Sequence, residues 1–258
     1  HPKFADHYNW AQLISGSVLS ACTNSPLFLG RRLWRETRIA LFQQSIDIRK
    51  VQETINYKIP RVFFGTDWVK SSPTEIFKED VARHRVILYV PIKENSMKQL
   101  EQGTIPKLEA LALHNGTIYR WNRPCYGITN GLPHLRIENR YLPAGPTLKD
   151  QMANMAFWLG LMNNVPNDIK RLTALMDFDK AKTNFISAAQ VGLSAEFNWI
   201  NGEKVAATDL ILNTLLPLAK EGLLNANIDS GEADGYLKII HDRVTTRKTG
   251  SQWMLDSF

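Results

Sequence analysis

The chain has 258 residues, 44% of them hydrophobic and 22% charged, which is ordinary for a soluble globular protein with one or two cores. Its formal net charge of +6 is spread without a run of five cations, so it suits anionic substrates as well as nucleic acid. Two cysteines, Cys22 and Cys125, exclude a disulfide framework and point to a reducing, cytoplasmic setting.

No apolar run reaches the length of a bilayer span; Ala156–Met162 is far too short. No signal peptide is visible, and the first residue is His1 rather than Met, so a missing upstream segment is expected.

In chain order, Phe4 to Cys22 reads as a helix, with Phe4, Tyr8, Ala11, Val18 and Cys22 at helical spacing. Asn24-Ser25-Pro26 ends it. The next segment, Leu27 to Arg38, sets Arg31, Arg32, Arg35, Arg38 and Glu36 among Trp34, Ile39, Leu41 and Phe42. That mixture implies a backbone anchored in the core with arginines projecting into a cleft. Arg61 to Gly65 reads as a short strand or turn. Ser72-Pro73-Thr74-Glu75 is a helix start, with Ser72 as cap and Glu75 completing a capping box. Ile76, Phe77, Val81, His84 and Leu88 then form one stripe, on which His84 is a packed histidine. Val86 to Val90 extends the chain until Pro91.

A turn at Asn115-Gly116 precedes a strand toward Pro124. A long glycine-bearing loop is expected from Cys125 to Pro133, followed by a second strand from His134. Side chains alternate along a strand. His134, Arg136, Glu138 and Arg140 therefore share one face, and Leu135, Ile137 and Tyr141 the other. The charged face reads either as a solvated surface or as a grip for one charged ligand. Arginine forks bind carboxylates and phosphates in bidentate fashion, and a glutamate oxygen suits Mg2+.

Beyond Pro146 the pattern is helical. Thr147 caps a helix with Asp150 in its first turn, and Met152, Met155, Ala156, Leu159 and Met162 are expected in the core. Further helices are expected over about 178–190, 208–220 and 230–247, with Gly192, Gly222 and Gly250 as stops. Strands first and helices after make an α+β pattern rather than an alternating one. Cys22 reads as core packing, and Cys125, with no nearby His, as a poor nucleophile. Phosphate-loop, dinucleotide-binding, His-Glu-x-x-His and Gly-x-Ser-x-Gly motifs are absent, as is a cysteine zinc site.

The ordered set Asn24-Ser25-Pro26, Gly30 to Arg38, Leu135-Arg-Ile-Glu-Asn-Arg140, Ala144-Gly-Pro146 and Ala156-Phe-Trp-Leu-Gly-Leu161 resembles the type-2 glutamate–cysteine ligase family. Those enzymes are glutamine-synthetase-like carboxylate–amine ligases. His114 to Pro124 and Gln252-Trp-Met-Leu-Asp256 look like one bacterial branch. The resemblance runs from Phe4 to the C-terminus and implies the C-terminal part of one catalytic-type domain. A strand-bearing site part would occupy about 1–146 and a helical part about 147–258. The implied fold is an antiparallel sheet packed with a helical C-terminal half.

The implied reaction uses ATP and Mg2+ or Mn2+ to phosphorylate the glutamate γ-carboxylate. An amine such as cysteine then attacks, as in glutathione biosynthesis. The resemblance implies Glu138 as a metal ligand, Arg140 as holder of the transferring phosphoryl or carboxylate, and Arg38 as clamp on the amino acid. Arg136 is a further catalytic candidate by its strand face. Arg32, Arg123 and His134 are substrate-binding candidates by position. The family's upstream strand of paired glutamates has no match here, so full activity is not expected of residues 1–258 alone.

Small-molecule substrates are the expected partners, with no membrane and no nucleic acid. A basic surface of Arg31, Arg32, Arg35 and Trp34 lacks any accompanying nucleic-acid motif. The competing reading is a non-catalytic nucleotide- or amino-acid-binding protein of the same fold.

Overall fold

Residues 3–46 and 60–258 are described in the computed structural model of the chain, which mixes helices with short strand pairs and is 56% helical. None of the described helices is long and apolar enough to cross a membrane. By packing, the described residues form two compact units. The first draws on 3–5, 42–46, 60–65 and 69–140; the second on 6–41, 66–68 and 141–258.

Helix α1 (Phe4–Cys22) forms as its spacing predicts. It is buried nearly all round, so it is a core helix rather than a surface one: Trp10, Leu13, Ile14, Val18 and Leu19 are sealed, and so are Gln12, Ser15 and Ser17. Ser15 and Ser20 satisfy their hydroxyls on the carbonyls of Ala11 and Ser17. Cys22, at its end, is core as expected, and burial pushes its thiol up to about 11.

β1 (Leu27–Phe28) and β2 (Arg31–Arg32) then form a tiny hairpin over Leu29-Gly30, both left-handed. α2 (Thr37–Ser45) follows.

In the first unit, β3 (Val62–Phe63) pairs in parallel with β4 (Tyr119–Arg120). Helices α3 (Thr74–Arg83), α4 (Ser96–Glu101) and α5 (Glu109–Asn115) lie between them in sequence. β4 leads through Trp121 into β5 (Asn122–Thr129), which pairs antiparallel with β6 (Leu132–Asn139). The amide of Trp121 donates to Phe63 O, and the amide of Arg140 donates to Trp121 O. Trp121 thus joins the parallel pair to the hairpin.

Three expectations are corrected here. Cys125 to Pro133 is not a long loop: most of it is strand, and the turn is the two-residue Asn130-Gly131 with φ of 52° and 76°. Asn-Gly suits that turn because both positions need positive φ. The buried face of α3 is Ile76, Asp80 and His84, whereas Val81 and Leu88 are exposed and the helix stops at Arg83. Helix α3 starts at Thr74 rather than at Pro73; the Ser72 hydroxyl accepts the Thr74 amide at 3.3 Å and Glu75 accepts the Ser72 amide as expected, together with the amides of Lys70 and Ser71. His84 is packed, as expected, against Phe63 at 5.2 Å.

In the second unit, α6 (Leu148–Asn163) has the expected Thr147 cap with Asp150 in its first turn, and Asp150 closes it into a capping box. Its buried face is Ala153, Asn154, Phe157, Gly160 and Leu161 together with Ala156, so Met155 and Leu159 are exposed, against expectation. The next helices are α7 (Ile169–Ala174) and α8 (Phe178–Val191), the latter stopped at Gly192 as expected. β7 (Glu196–Asn198) and β8 (Lys204–Ala206) make a small hairpin. α9 (Ala207–Leu210) runs through a π turn (Ile211–Leu215) into α10 (Leu216–Asn225).

α6 and α10 meet through small residues. A Cβ on Gly222 would lie 1.8 Å from Gly160 O, and one on Gly160 would lie 2.3 Å from Ala219 O. This close approach explains why the small face of α6, not its methionine face, turns inward. Gly222 is therefore a packing residue inside α10, not a stop. α11 (Ser230–Thr245) and α12 (Gly250–Ser257) complete the unit, and Gly250 begins a helix rather than ending one.

Candidate functional site

The β5–β6 hairpin carries most of the expected residues. Its register sets Arg123 opposite Glu138, Cys125 opposite Arg136 and Gly127 opposite His134, all on one face. Arg123 donates from Nε to Glu138 Oε2 at 2.8 Å and reaches the same oxygen from Nη2 at 2.6 Å. Arg140, just past the strand, brings Nε to 3.6 Å from Glu138 Oε1 and stacks 5.0 Å over the Tyr119 ring. Cys125 adds a contact from Sγ to Glu138 Oε2 at 3.2 Å. The three charged side chains are 24%, 41% and 21% exposed for Arg123, Glu138 and Arg140, so the cluster is open on one side.

The electrostatics follow from this geometry. Burial raises Glu138, but the Cys125 contact and the two arginines outweigh it and hold the carboxyl below its ordinary value. Burial and the neighbouring Arg123 lower Arg140. Burial would lower Arg123 too, but Cys125 and Glu138 reverse the sign and raise it. Burial and the Glu138 contact push the Cys125 thiol up, which disfavours the thiolate a nucleophile needs.

The other two hairpin candidates are farther toward the turn. Arg136 is exposed and has no ion pair among the described residues. His134 bonds Thr129 Oγ1 through Nε2 at 2.9 Å, and its ring lies over Gly127, where an added Cβ would sit 2.7 Å from Cε1. They share the face of Glu138 without joining its cluster. Behind the hairpin, Arg120 of β4 is buried and donates from Nε to Asp80 Oδ1 at 2.8 Å and from Nη2 to Glu79 Oε2 at 2.7 Å. Its guanidinium also covers the Phe63 ring at 4.5 Å. This anchor was not foreseen, and neither was Cys125 as a partner of Glu138.

Arg38 and Arg32 belong to the second unit. Arg38 donates from Nε to Glu36 Oε1 at 3.2 Å and from Nη2 to the Tyr141 carbonyl. Glu36 is fully buried and also accepts from the Asn24 amide at 2.8 Å and the Ser25 hydroxyl at 2.7 Å. Asn24 in turn donates from Nδ2 to Ala144 O at 2.6 Å. An added Cβ on Gly250 would meet Asn24 Oδ1 at 2.0 Å, so that close approach needs glycine. The Asn24-Ser25-Pro26, Glu36, Arg38 and Ala144-Gly-Pro146 segments are thus one hydrogen-bonded assembly centred on Glu36. Arg32 instead lies at the surface, near Leu255 O at 3.4 Å and over the Phe258 ring at 5.5 Å.

The donor set around Glu138 does not by itself fit Mg2+. Both of its oxygens face guanidinium groups, and no group of three or more His, Cys, Asp or Glu suited to a metal occurs among the described residues. Mg2+ wants near-octahedral oxygen ligands free of competing cations. What the cluster does fit is an anion: two arginines from neighbouring strands already grip a carboxylate. Comparison of the chain with family models, with curated proteins and with solved structures finds no match.

Proposed function

We propose that the chain is the arginine-bearing part of an ATP-dependent carboxylate–amine ligase resembling the type-2 glutamate–cysteine ligases, on a glutamine-synthetase-like fold. The observation that carries this reading is the convergence of Arg123 and Arg140 on Glu138, half-buried on one hairpin face. Two forked donors at this spacing suit a substrate carboxylate or a transferring phosphoryl group, each of which carries charge that must be held in place.

In the reaction, the terminal phosphoryl of ATP would pass to a substrate carboxylate oxygen with release of ADP. The amine nitrogen would then bond to the acyl carbon, the C–O bond to phosphate would break, and the nitrogen would lose a proton. Arg140 and Arg123 would neutralise the oxygens of the carboxylate and then of the acyl phosphate. No step is assigned to metal at Glu138, because its oxygens are taken by the arginines.

A second reading is favoured by the same saturation of Glu138: a non-catalytic protein that binds a nucleotide or an amino acid. Incubating the protein with ATP, Mg2+, glutamate and candidate amines separates the two. ADP release that needs both glutamate and an amine supports the ligase. Binding of ATP without turnover for any amine supports the second reading. Neither binding nor turnover refutes both.

A further inference from the structure

A second cationic site lies within the second unit and shares no residue with the hairpin. A cavity of about 300 Å³ is lined by Arg35, Arg247 and Lys248, by the hydroxyl residues Thr23, Ser194 and Thr249, and by Gln252, with Asp256 as its one carboxylate. Three cations against one anion leave the lining with an excess of two positive charges. Arg35 is half-buried and fixed, donating from Nη1 to Gln252 Oε1 at 2.7 Å. Gln252 is itself held, donating from Nε2 to Asp256 Oδ1 at 2.6 Å. Arg247 and Lys248 make no ion pair among the described residues.

The backbone around this cavity is unusual in two places. Gly192 has φ +58°, and its missing Cβ leaves room for Arg35, whose Cγ would lie 3.2 Å from that atom. Arg247 has φ +56°, a left-handed conformation after the end of α11 where glycine or asparagine is the common choice. The turn is locked by Lys248 N donating to Arg243 O at 3.0 Å and Arg247 N donating to Val244 O at 3.2 Å. A cation is therefore kept at a position whose backbone favours glycine, at the rim of a cavity already rich in positive charge. Strain of this sort is a pointer to function when an independent feature shares the place, and here the cavity supplies one.

We propose that this cavity binds a small phosphate-type dianion, either inorganic phosphate or the phosphate of a monoester. Arg35 supplies a fixed guanidinium, Arg247 and Lys248 supply exposed cations, and the Ser194 and Thr249 hydroxyls supply neutral donors. That combination matches a tetrahedral group with many acceptor oxygens. The volume is at the lower end for small-molecule sites and accommodates a compact ligand. The proposal does not depend on the ligase reading, since none of its cations lies on the hairpin.

The test is isothermal titration calorimetry of the whole chain at constant ionic strength, with inorganic phosphate in one arm, glycerol 3-phosphate in another and KCl as the control. Binding is expected in at least one of the first two arms. Tighter binding of glycerol 3-phosphate assigns the site to monoesters, and tighter binding of phosphate assigns it to the free ion. Arg247→Gly removes the cation while suiting the left-handed backbone, so the fold is preserved; Lys248→Ala removes the second cation. Each is expected to weaken binding by about tenfold, the loss of one charge-assisted contact. Lys220→Ala, which removes an exposed cation paired with Asp234, should leave the affinity unchanged. No heat beyond KCl in either arm, or an affinity equal to that of the unmodified chain in both Arg247→Gly and Lys248→Ala, overturns the proposal.

Discussion

Replacing Asp80 is the sharpest probe of what ties β4, the strand leading into the hairpin, to α3. Asp80 and Arg120 side chains are each 2% exposed, and their ion pair is 2.8 Å long. Burial raises the Asp80 carboxyl above its ordinary value even though Arg120 pulls it down, so desolvation is a large part of this pair's energetics. Asp80→Asn leaves the buried Arg120 guanidinium with Glu79, whose side chain is 19% exposed, as a charged partner. Breaking a buried pair costs about 3–5 kcal/mol. The surviving Glu79 contact places the expected loss near the lower end, about 3 kcal/mol.

Urea unfolding followed by tryptophan fluorescence, with transitions of the two units fitted separately, gives the measurement. The double replacement Asp80→Leu with Arg120→Met should be less destabilising than the sum of the two single changes, because it removes both charges together. A loss under about 1 kcal/mol in Asp80→Asn, or a double variant worse than the sum of the singles, would refute this account of the anchor.

Three further outcomes follow from the packing and the charges. Gly222→Ala pushes a methyl against the Gly160 carbonyl at the contact of α6 and α10 and should cost about 3 kcal/mol by chemical denaturation. Gly235→Ala, on the exposed face of α11 with nothing within 4 Å, should instead stabilise by about 0.5–1 kcal/mol, and equal effects at both positions would contradict the packing argument. His84 is lowered to about 4 by burial first, then by Arg61 and Arg120. It is neutral in the fold and the unfolded chain takes up its proton first. Stability should therefore fall as pH drops from about 6.5 toward about 4, by up to about 3 kcal/mol, and His84→Gln should flatten that slope. A slope between pH 6.5 and 4.5 that is unchanged in the variant would show the histidine is not responsible.

Much of the helical structure was legible because its signals are local. The Thr147–Asp150 box, the stop at Gly192 and the core helix Phe4–Cys22 all rest on residues within a few positions of one another. The hairpin turn was equally local, since Asn130-Gly131 suits a two-residue turn, but with Gly127 it read as part of a long glycine-bearing loop, whereas Gly127 lies in β5. The inward face of α6 was misjudged because hydrophobicity favours its methionines. Close packing against α10 instead selects Gly160 and its small neighbours, and that depends on a helix far along the chain.

The candidate site divides in the same way. Strand alternation put Arg136, Glu138 and His134 on one face, and the register agrees. It could not show that Arg123 and Cys125 meet Glu138, because that requires the pairing partner. The buried carboxylates Glu36 and Asp80 carry no local mark of burial; each becomes central only through distant partners, Asn24 and Ser25 for one and Arg120 for the other.

The most direct test of the ligase reading is ADP release with ATP, Mg2+, glutamate and an amine, compared between the unmodified protein and Arg140→Gln. The account predicts release that requires both glutamate and the amine, and a loss of about a hundredfold or more in Arg140→Gln, the scale of removing one donor that stabilises developing charge. Release that persists at the unmodified rate in Arg140→Gln, or no dependence on glutamate, would contradict it.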